Sequence, residues 1–370
     1  MVTASNRLAA PSEALAFQAG ILERVSRTFA FTIPQLPPPL YTAVTNAYLL
    51  CRIADTIEDE PELSQTQKEQ FSRRLVAVLA GEAAAEEFAE ALVPLLSEHT
   101  LPAERELIAH TRHVLSVTRA LGDREQMALH RCVQVMSEGM SRCQRTADLS
   151  GLADIPELDQ YCYYVAGVVG EMLTELFCAY SPEIASRCDE LMALAPSFGQ
   201  GLQMTNILKD LNADRARGVC WLPRDVYPDV SGEVTDLLGE VGTGSHEAAM
   251  TRLVSIAHAH LRNALRYTLL IPAHERGIRR FCLWAVGLAL LTLRNIHRQP
   301  GFKDATEIKV SRRTVAGVAL LGRLAARSDG LVRAFFGLAA RGLPAPARHP
   351  TWVHGQPGVS RPQPDSATPR

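Results

Sequence analysis

Apolar residues recur at three- and four-residue spacing along almost the whole chain, and no long alternating Val/Ile/Thr run interrupts them. That period belongs to helices with one buried side, so the pattern predicts an all-α protein. Helices are expected near residues 12–24, 40–60, 65–96 (as two), 103–120, 124–143, 157–178, 183–195, 197–214, 246–270, 273–297 and 310–338. Prolines punctuate them, because proline suits a first helical turn and breaks an interior. Pro34 and Pro37 to Pro39 precede one helix, Pro102, Pro156 and Pro182 sit near the starts of others, and Pro272 separates two late ones. Ser64 with Gln67, and Asp123 with Gln126, have the spacing of capping boxes. Gly218 to Pro228, then Gly232 to Gly244, form the largest expected loop region, and no fixed-period repeat suggests a solenoid.

Past about Arg341 the apolar pattern gives way to Pro, Gly, Ser and Arg, which cannot bury enough surface to fold alone. The expected organisation is therefore one domain over residues 1–340 and a Pro-rich tail over 341–370.

Composition narrows the function classes. With 47% hydrophobic residues in 370, a sizeable core is available. Lys plus Arg number 38 against 40 Asp plus Glu, which leaves no global basic footprint and makes nucleic acid an unexpected partner. The eight cysteines show no C-x-x-C or metal-ligand spacing and read as buried thiols of a reducing compartment. Met1 to Ala19 lacks the basic start and apolar core of a signal peptide, so a cytoplasmic location is expected. The longest uncharged apolar run, Phe281 to Leu293, is shorter than the roughly 20 residues that cross a bilayer, which leaves peripheral membrane contact as the compatible mode.

Two polar stripes carry the candidate chemistry. Tyr48, Arg52, Asp55 and Asp59 fall on one face of a helix, with Glu58 beside them. Gln203, Asn206, Asp210 and Asp214 repeat the arrangement on a second helix. Carboxylates one turn apart repel unless a cation lies between them. Hard oxygen ligands in small number suit Mg²⁺, which keeps its waters and bridges a carboxylate or two to substrate phosphates. A single D-x-x-x-D pair is equally a solvated helix face; two pairs, each flanked by apolar residues, favour a functional wall.

The runs SRTF from Ser26 to Phe29, YLLCRIADTIED from Tyr48 to Asp59, YCYYVAGVVG from Tyr161 to Gly170, and QMTNILKDLNAD from Gln203 to Asp214 followed by RGVCWLP from Arg217 to Pro223 resemble, in order and spacing, the signatures of the squalene/phytoene synthase family. The resemblance covers roughly residues 20–320. It implies the isoprenoid synthase fold, a single helical bundle around a cavity with the two aspartate-rich helices facing each other at its mouth. It also implies Mg²⁺-dependent, head-to-head joining of two farnesyl diphosphates through a cyclopropyl diphosphate. Arg27, Arg52 and Arg217 would contact diphosphate, with surface ion pairing as the alternative. Tyr161 would sit beside the reacting carbons, though by itself it reads as a core aromatic. Gly167 and Gly170 would make room for a prenyl chain or serve close helix packing.

The late stretch, Phe281 to Leu293, Asn295, Phe302 with Lys303, and Lys309 to Arg313, resembles the eukaryotic-type, squalene-forming members. That implies NADPH as reductant, held by Asn295, Lys309 and Arg312 without a dinucleotide-binding fingerprint; the same cations also read as a solvated basic patch. Tyr163 stands where a histidine is common, and the Pro-rich tail replaces a membrane anchor. The competing expectations are a phytoene or dehydrosqualene synthase that works without reductant, and a non-catalytic helical isoprenoid-binding protein. A di-iron bundle is disfavoured because Glu-x-x-His motifs are missing, which leaves His110 and His130 structural or exposed. A monomer or weak homodimer is expected.

Overall fold

The computed structural model describes residues 10–26, 28–227 and 244–347. These fold as helices α1 Ser12–Val25, α2 Phe29–Thr32, α3 Pro38–Asp59, α4 Gln65–Ala80, α5 Ala85–Leu92, α6 Pro102–Ala109, α7 Thr111–Ala120 and α8 Asp123–Gln144. They continue as α9 Ile155–Cys162, α10 Val168–Tyr180, α11 Pro182–Ala185, α12 Cys188–Ala216, α13 Gly244–Leu270, α14 Arg276–Arg298, α15 Arg312–Ala325 and α16 Asp329–Ala339. Among the described residues there is no strand, only an isolated parallel bridge between Leu152 and Pro223. The all-α expectation holds.

The chain divides into two compact units, residues 1–145 with 171–188, and residues 146–170 with 189–370. In the first, α3 begins on Pro38 in the first turn and buries Leu49, Leu50, Ile53 and Ile57. It packs against α1, α4, α6, α7 and α8. Asn46, fully buried, donates to the Val114 carbonyl at 2.8 Å and to Gln18 Oε1 at 3.1 Å, and accepts from Thr118 Oγ1 at 2.7 Å, so one side chain ties α3 to α1 and α7. The Ser64–Gln67 capping box forms. The expected box at Asp123 lies one residue earlier, because the Gly122 N–H donates to Glu125 Oε2 at 2.6 Å and Gly122 becomes the cap.

In the second unit, α14 packs on α13 and carries α15 and α16 against it. Leu283, Leu291, Val318, Ala325, Val332 and Phe335 form the shared core. One helix was expected over 310–338; two form, because Ser328 caps α16 by accepting from the Leu331 N–H at 3.4 Å. The break expected at Pro196 does not occur. α12 runs through this buried proline, tertiary packing on both sides outweighing one missing backbone bond.

Residues 344–347, which the composition assigns to the tail, are tied to α13: Ser255 Oγ donates to the Ala345 carbonyl at 2.6 Å, and the Ala347 N–H donates to the Ser255 carbonyl at 3.0 Å. The loop expected over residues 232–243 and the tail beyond 347 lie outside the described residues. Helical structure is continuous over Ile155–Tyr180, 26 residues long and apolar enough by composition to cross a membrane. Its buried Asp159 and Glu171, and the π turn at Tyr163–Gly167, mark it instead as a core helix.

Candidate active site

On α3 the first stripe is an interacting set. Arg52 donates from Nη2 to the Tyr48 hydroxyl at 3.0 Å, and its Nη1 lies 3.6 Å from Glu104 Oε1. Tyr48 in turn donates to the Val25 carbonyl at 3.3 Å. Asp55 follows one turn later, half-buried, with exposed Asp59 beyond it. Loss of solvent raises the Asp55 carboxyl to about 7; Arg52 opposes this, while Asp59 and Glu104 add to it. Glu58 is pushed well above its ordinary value, first by burial and then by Asp59 and Asp55. Its Oε2 is buried with no hydrogen-bond partner among the described residues.

These are the signs of a site short of positive charge: carboxylates held close, one oxygen orphaned, protons bound more tightly than in water. A divalent cation fits here. Among the described residues no three His, Cys, Asp or Glu side chains are grouped so as to hold a metal ion by themselves. Glu60, next in sequence, is different. Its carboxylate accepts from the Ser97 N–H at 2.9 Å, Thr100 Oγ1 at 2.5 Å and the Glu62 N–H at 3.1 Å. Burial pushes that carboxyl up, but these donors win and hold it down at about 2.

On α12 the second stripe is partnered. Lys209 Nζ lies 2.8 Å from both oxygens of half-buried Asp210, and Arg217 Nη2 lies 2.5 Å from Oδ1 of buried Asp214. Gln203 is half-buried and Asn206 exposed. The sequence reading placed Arg217 beside this pair and missed Lys209, whose adjacency to Asp210 was the available signal. A bound cation would release both basic side chains toward an anion.

Tyr161, on α9, is buried and stacked face to face on Trp221, with ring centroids 3.9 Å apart and planes within 8°. The loop holding Trp221 is pinned beside it: the Leu152 N–H donates to the Leu222 carbonyl at 3.0 Å and the Cys220 N–H to the Asp148 carbonyl at 2.9 Å. Two residues before Tyr161 on α9, buried Asp159 belongs to a polar network that the sequence pattern does not reveal. Asp159 Oδ1 is 3.2 Å from His260 Nε2, and His260 Nδ1 is 2.8 Å from Ser197 Oγ. Asn263 Nδ2 donates to Ser197 Oγ at 3.0 Å, and Gln200 Nε2 to the Asp159 carbonyl at 3.0 Å. With Nε2 as the donating nitrogen, Asp159, His260, Ser197 and Asn263 form one connected set that locks α9, α12 and α13 together, while Gln200 Oε1 is buried with no hydrogen-bond partner among the described residues.

The glycine question resolves toward packing. A Cβ on Gly170 would fall on the Ala195 carbonyl, one on Gly199 on the Ala166 carbonyl, and one on Gly167 within 2.9 Å of the Tyr163 ring. Gly170 and Gly199 thus let backbones approach closely, and Gly167 makes room for the Tyr163 ring. Asn295 donates from Nδ2 to the Ile308 carbonyl at 2.9 Å, which anchors the segment that presents exposed Lys309 and Arg312. Arg27 lies outside the described residues.

The all-helical architecture is the isoprenoid synthase fold. A solved structure of TcSQS with ligand matches with a TM-score of 0.69 at 24% identity over 90% of this chain and 99% of that one. A dehydrosqualene synthase structure in complex with ligand matches with 0.60 at 19% identity, covering 84% and 96%. The chain belongs to the squalene/phytoene synthase family, whose profile matches residues 22–314. The squalene synthase of Saccharomyces cerevisiae is 28% identical over 285 residues, 74% of this chain and 59% of that protein. The chain thus spans about three fifths of the length of such curated relatives.

Proposed function

We propose that the protein is a squalene synthase: it joins two farnesyl diphosphates head to head to presqualene diphosphate, and reduces that intermediate to squalene with NADPH. The observation that carries the reading is the electrostatic state of Asp55 and Glu58, acids raised by burial and by their acidic neighbours on a helix whose sequence matches the family signature.

Asp55, Asp59, Asp210 and Asp214, aided by Glu58, are the proposed Mg²⁺ ligands. The bound ion supplies charge neutralisation for the departing diphosphate. Arg52 and Tyr48, already bonded to each other, orient the substrate diphosphate, and Arg27, Gln203, Asn206 and Arg217 act with them. Lys209 joins this set, since its ammonium is positioned at Asp210. Tyr161 accepts or relays the proton lost on closing the cyclopropane, and its ring with that of Trp221 offers an electron-rich surface to cationic carbon. Apolar surroundings keep water from capturing that cation as an alcohol. Asn295, Lys309 and Arg312 are the proposed contacts for NADPH, which supplies the final hydride. The reading includes a cytoplasmic, peripherally membrane-associated enzyme working as a monomer or weak homodimer, and residues 1–340 acting as one catalytic domain.

A second reading, a dehydrosqualene or phytoene synthase, is favoured by the shared fold of the dehydrosqualene synthase. Incubation with farnesyl diphosphate and Mg²⁺, with and without NADPH, separates the two: squalene formed only with NADPH is expected. Dehydrosqualene as the sole product with NADPH present would select the second reading. Absence of any product, with the substrate retained, would point to a binding protein.

A further inference from the structure

Half of the exposed large hydrophobic side chains among the described residues fall within two neighbouring helices, α15 and α16. Leu320, Leu321 and Leu324 of α15 are 62%, 44% and 45% exposed, and Leu331 and Leu338 of α16 are 48% and 56% exposed. Both helices already bury an apolar side, Val318, Gly322 and Ala325 on α15 and Val332, Phe335, Phe336 and Ala339 on α16. A helix with a buried apolar side normally shows water a polar one. Here further apolar side chains reach water, and the same two helices and the turns that follow them expose arginine: Arg323, Arg327, Arg333 and Arg341. Arg276 and Arg280 lie close enough to Arg323 for the three to repel, which lowers the Arg280 guanidinium after burial has begun the shift. The one acid between Arg312 and Arg341 is Asp329, and it is taken by buried Arg279 at 2.7 Å.

We propose that this leucine–arginine face of α15 and α16 docks the protein on an anionic lipid bilayer. Leucine inserts among acyl chains, arginine stems reach past them, and guanidinium groups meet headgroup phosphates; these are the two attractions that hold an amphipathic surface at a membrane. Charge selects this occupant over the others. A second copy related by a twofold axis would set like-charged arginines against one another. The segment after Ala347 carries Arg348, Arg361 and Arg370 against Asp365, and so brings no complementary charge. A nucleic acid would leave the leucines in water. The inference gives a place to the peripheral membrane contact in the reading above, and stands apart from which prenyl product is made.

The test is flotation of the full chain with vesicles of phosphatidylcholine alone, and of phosphatidylcholine with about one third phosphatidylglycerol. Binding to the mixed vesicles, weakened by salt, is expected. The variant L320S/L324S/L331S/L338S should lose about tenfold or more of that binding while its helical circular dichroism is unchanged. R323Q/R327Q/R333Q should lose the preference for anionic lipid. Equal binding by the leucine variant would overturn the proposal, as would a chain that ignores both vesicles. So would a dimer in light scattering that the leucine substitutions dissolve, or a tail beyond Ala347 that becomes protease-sensitive only in that variant. Product assays are a separate measurement, so failure here leaves the enzymatic reading to its own test.

Discussion

The rings of Tyr161 and Trp221 lie parallel at 3.9 Å, so the tyrosine ring is held by a neighbour from a loop about sixty residues further along the chain. The pair separates structural from chemical roles. Tyr161→Phe keeps the stack and should leave the melting temperature nearly unchanged, while turnover falls by about 10²-fold if the hydroxyl handles the proton. Trp221→Ala removes a buried ring and should cost roughly 3 kcal/mol of stability by chemical denaturation.

Metal affinity should depend on pH through Asp55. Its carboxyl titrates near 7, so below that pH a cation must displace a proton. Apparent Mg²⁺ affinity, followed by calorimetry, is expected to rise about tenfold per unit up to pH 7 and then level. The sign for stability is opposite to that of most carboxylates. The folded value lies above the unfolded one, the native state binds more protons between them, and the metal-free protein loses stability as pH rises from 3.8 to about 7. Asp55→Asn should flatten both profiles.

Glu60 supplies the contrasting case. Its folded value is held near 2, below the unfolded 4.5, so its contribution is full above pH 4.5 and is lost as pH falls toward 2. Glu60→Gln should destabilise the protein by about 2 kcal/mol at neutral pH and reduce the acid sensitivity of the melt.

Gly199 lies where a Cβ would strike the Ala166 carbonyl. Gly199→Ala should therefore cost about 1–3 kcal/mol, read as a lowered denaturation midpoint, because neither backbone can yield cheaply. Gly317, with open space around its Cβ position, should accept alanine without loss.

The catalytic requirement is tested at the acids themselves. Asp55→Asn and Asp210→Asn should each reduce product formation by at least about 10²-fold with helical circular dichroism retained. Unchanged rates would refute the metal assignment.

Helices and acidic stripes were legible because a period of three to four residues is written locally: Asp55 and Asp59, like Asp210 and Asp214, share a face wherever their helices go. Boundaries were less legible where packing competes with local preference. Pro196 does not stop α12, and the Ser328 cap divides a stretch that periodicity alone left whole. The role of Gly170 was open in sequence, since a missing Cβ permits either a cavity or a close approach, and only its neighbour Ala195 chooses between them.

The sequence by itself determined the helical class, the family signatures and the acids that compose each stripe, because these depend on residues a few positions apart. Tertiary structure decided that Asp210 and Asp214 are paired with Lys209 and Arg217, that Tyr161 rests on Trp221, and that Asp159 meets His260 from 101 residues away. It also decided which leucines of α15 and α16 stay in water. Those outcomes follow from how distant segments exclude solvent from one another, and no local spacing encodes that.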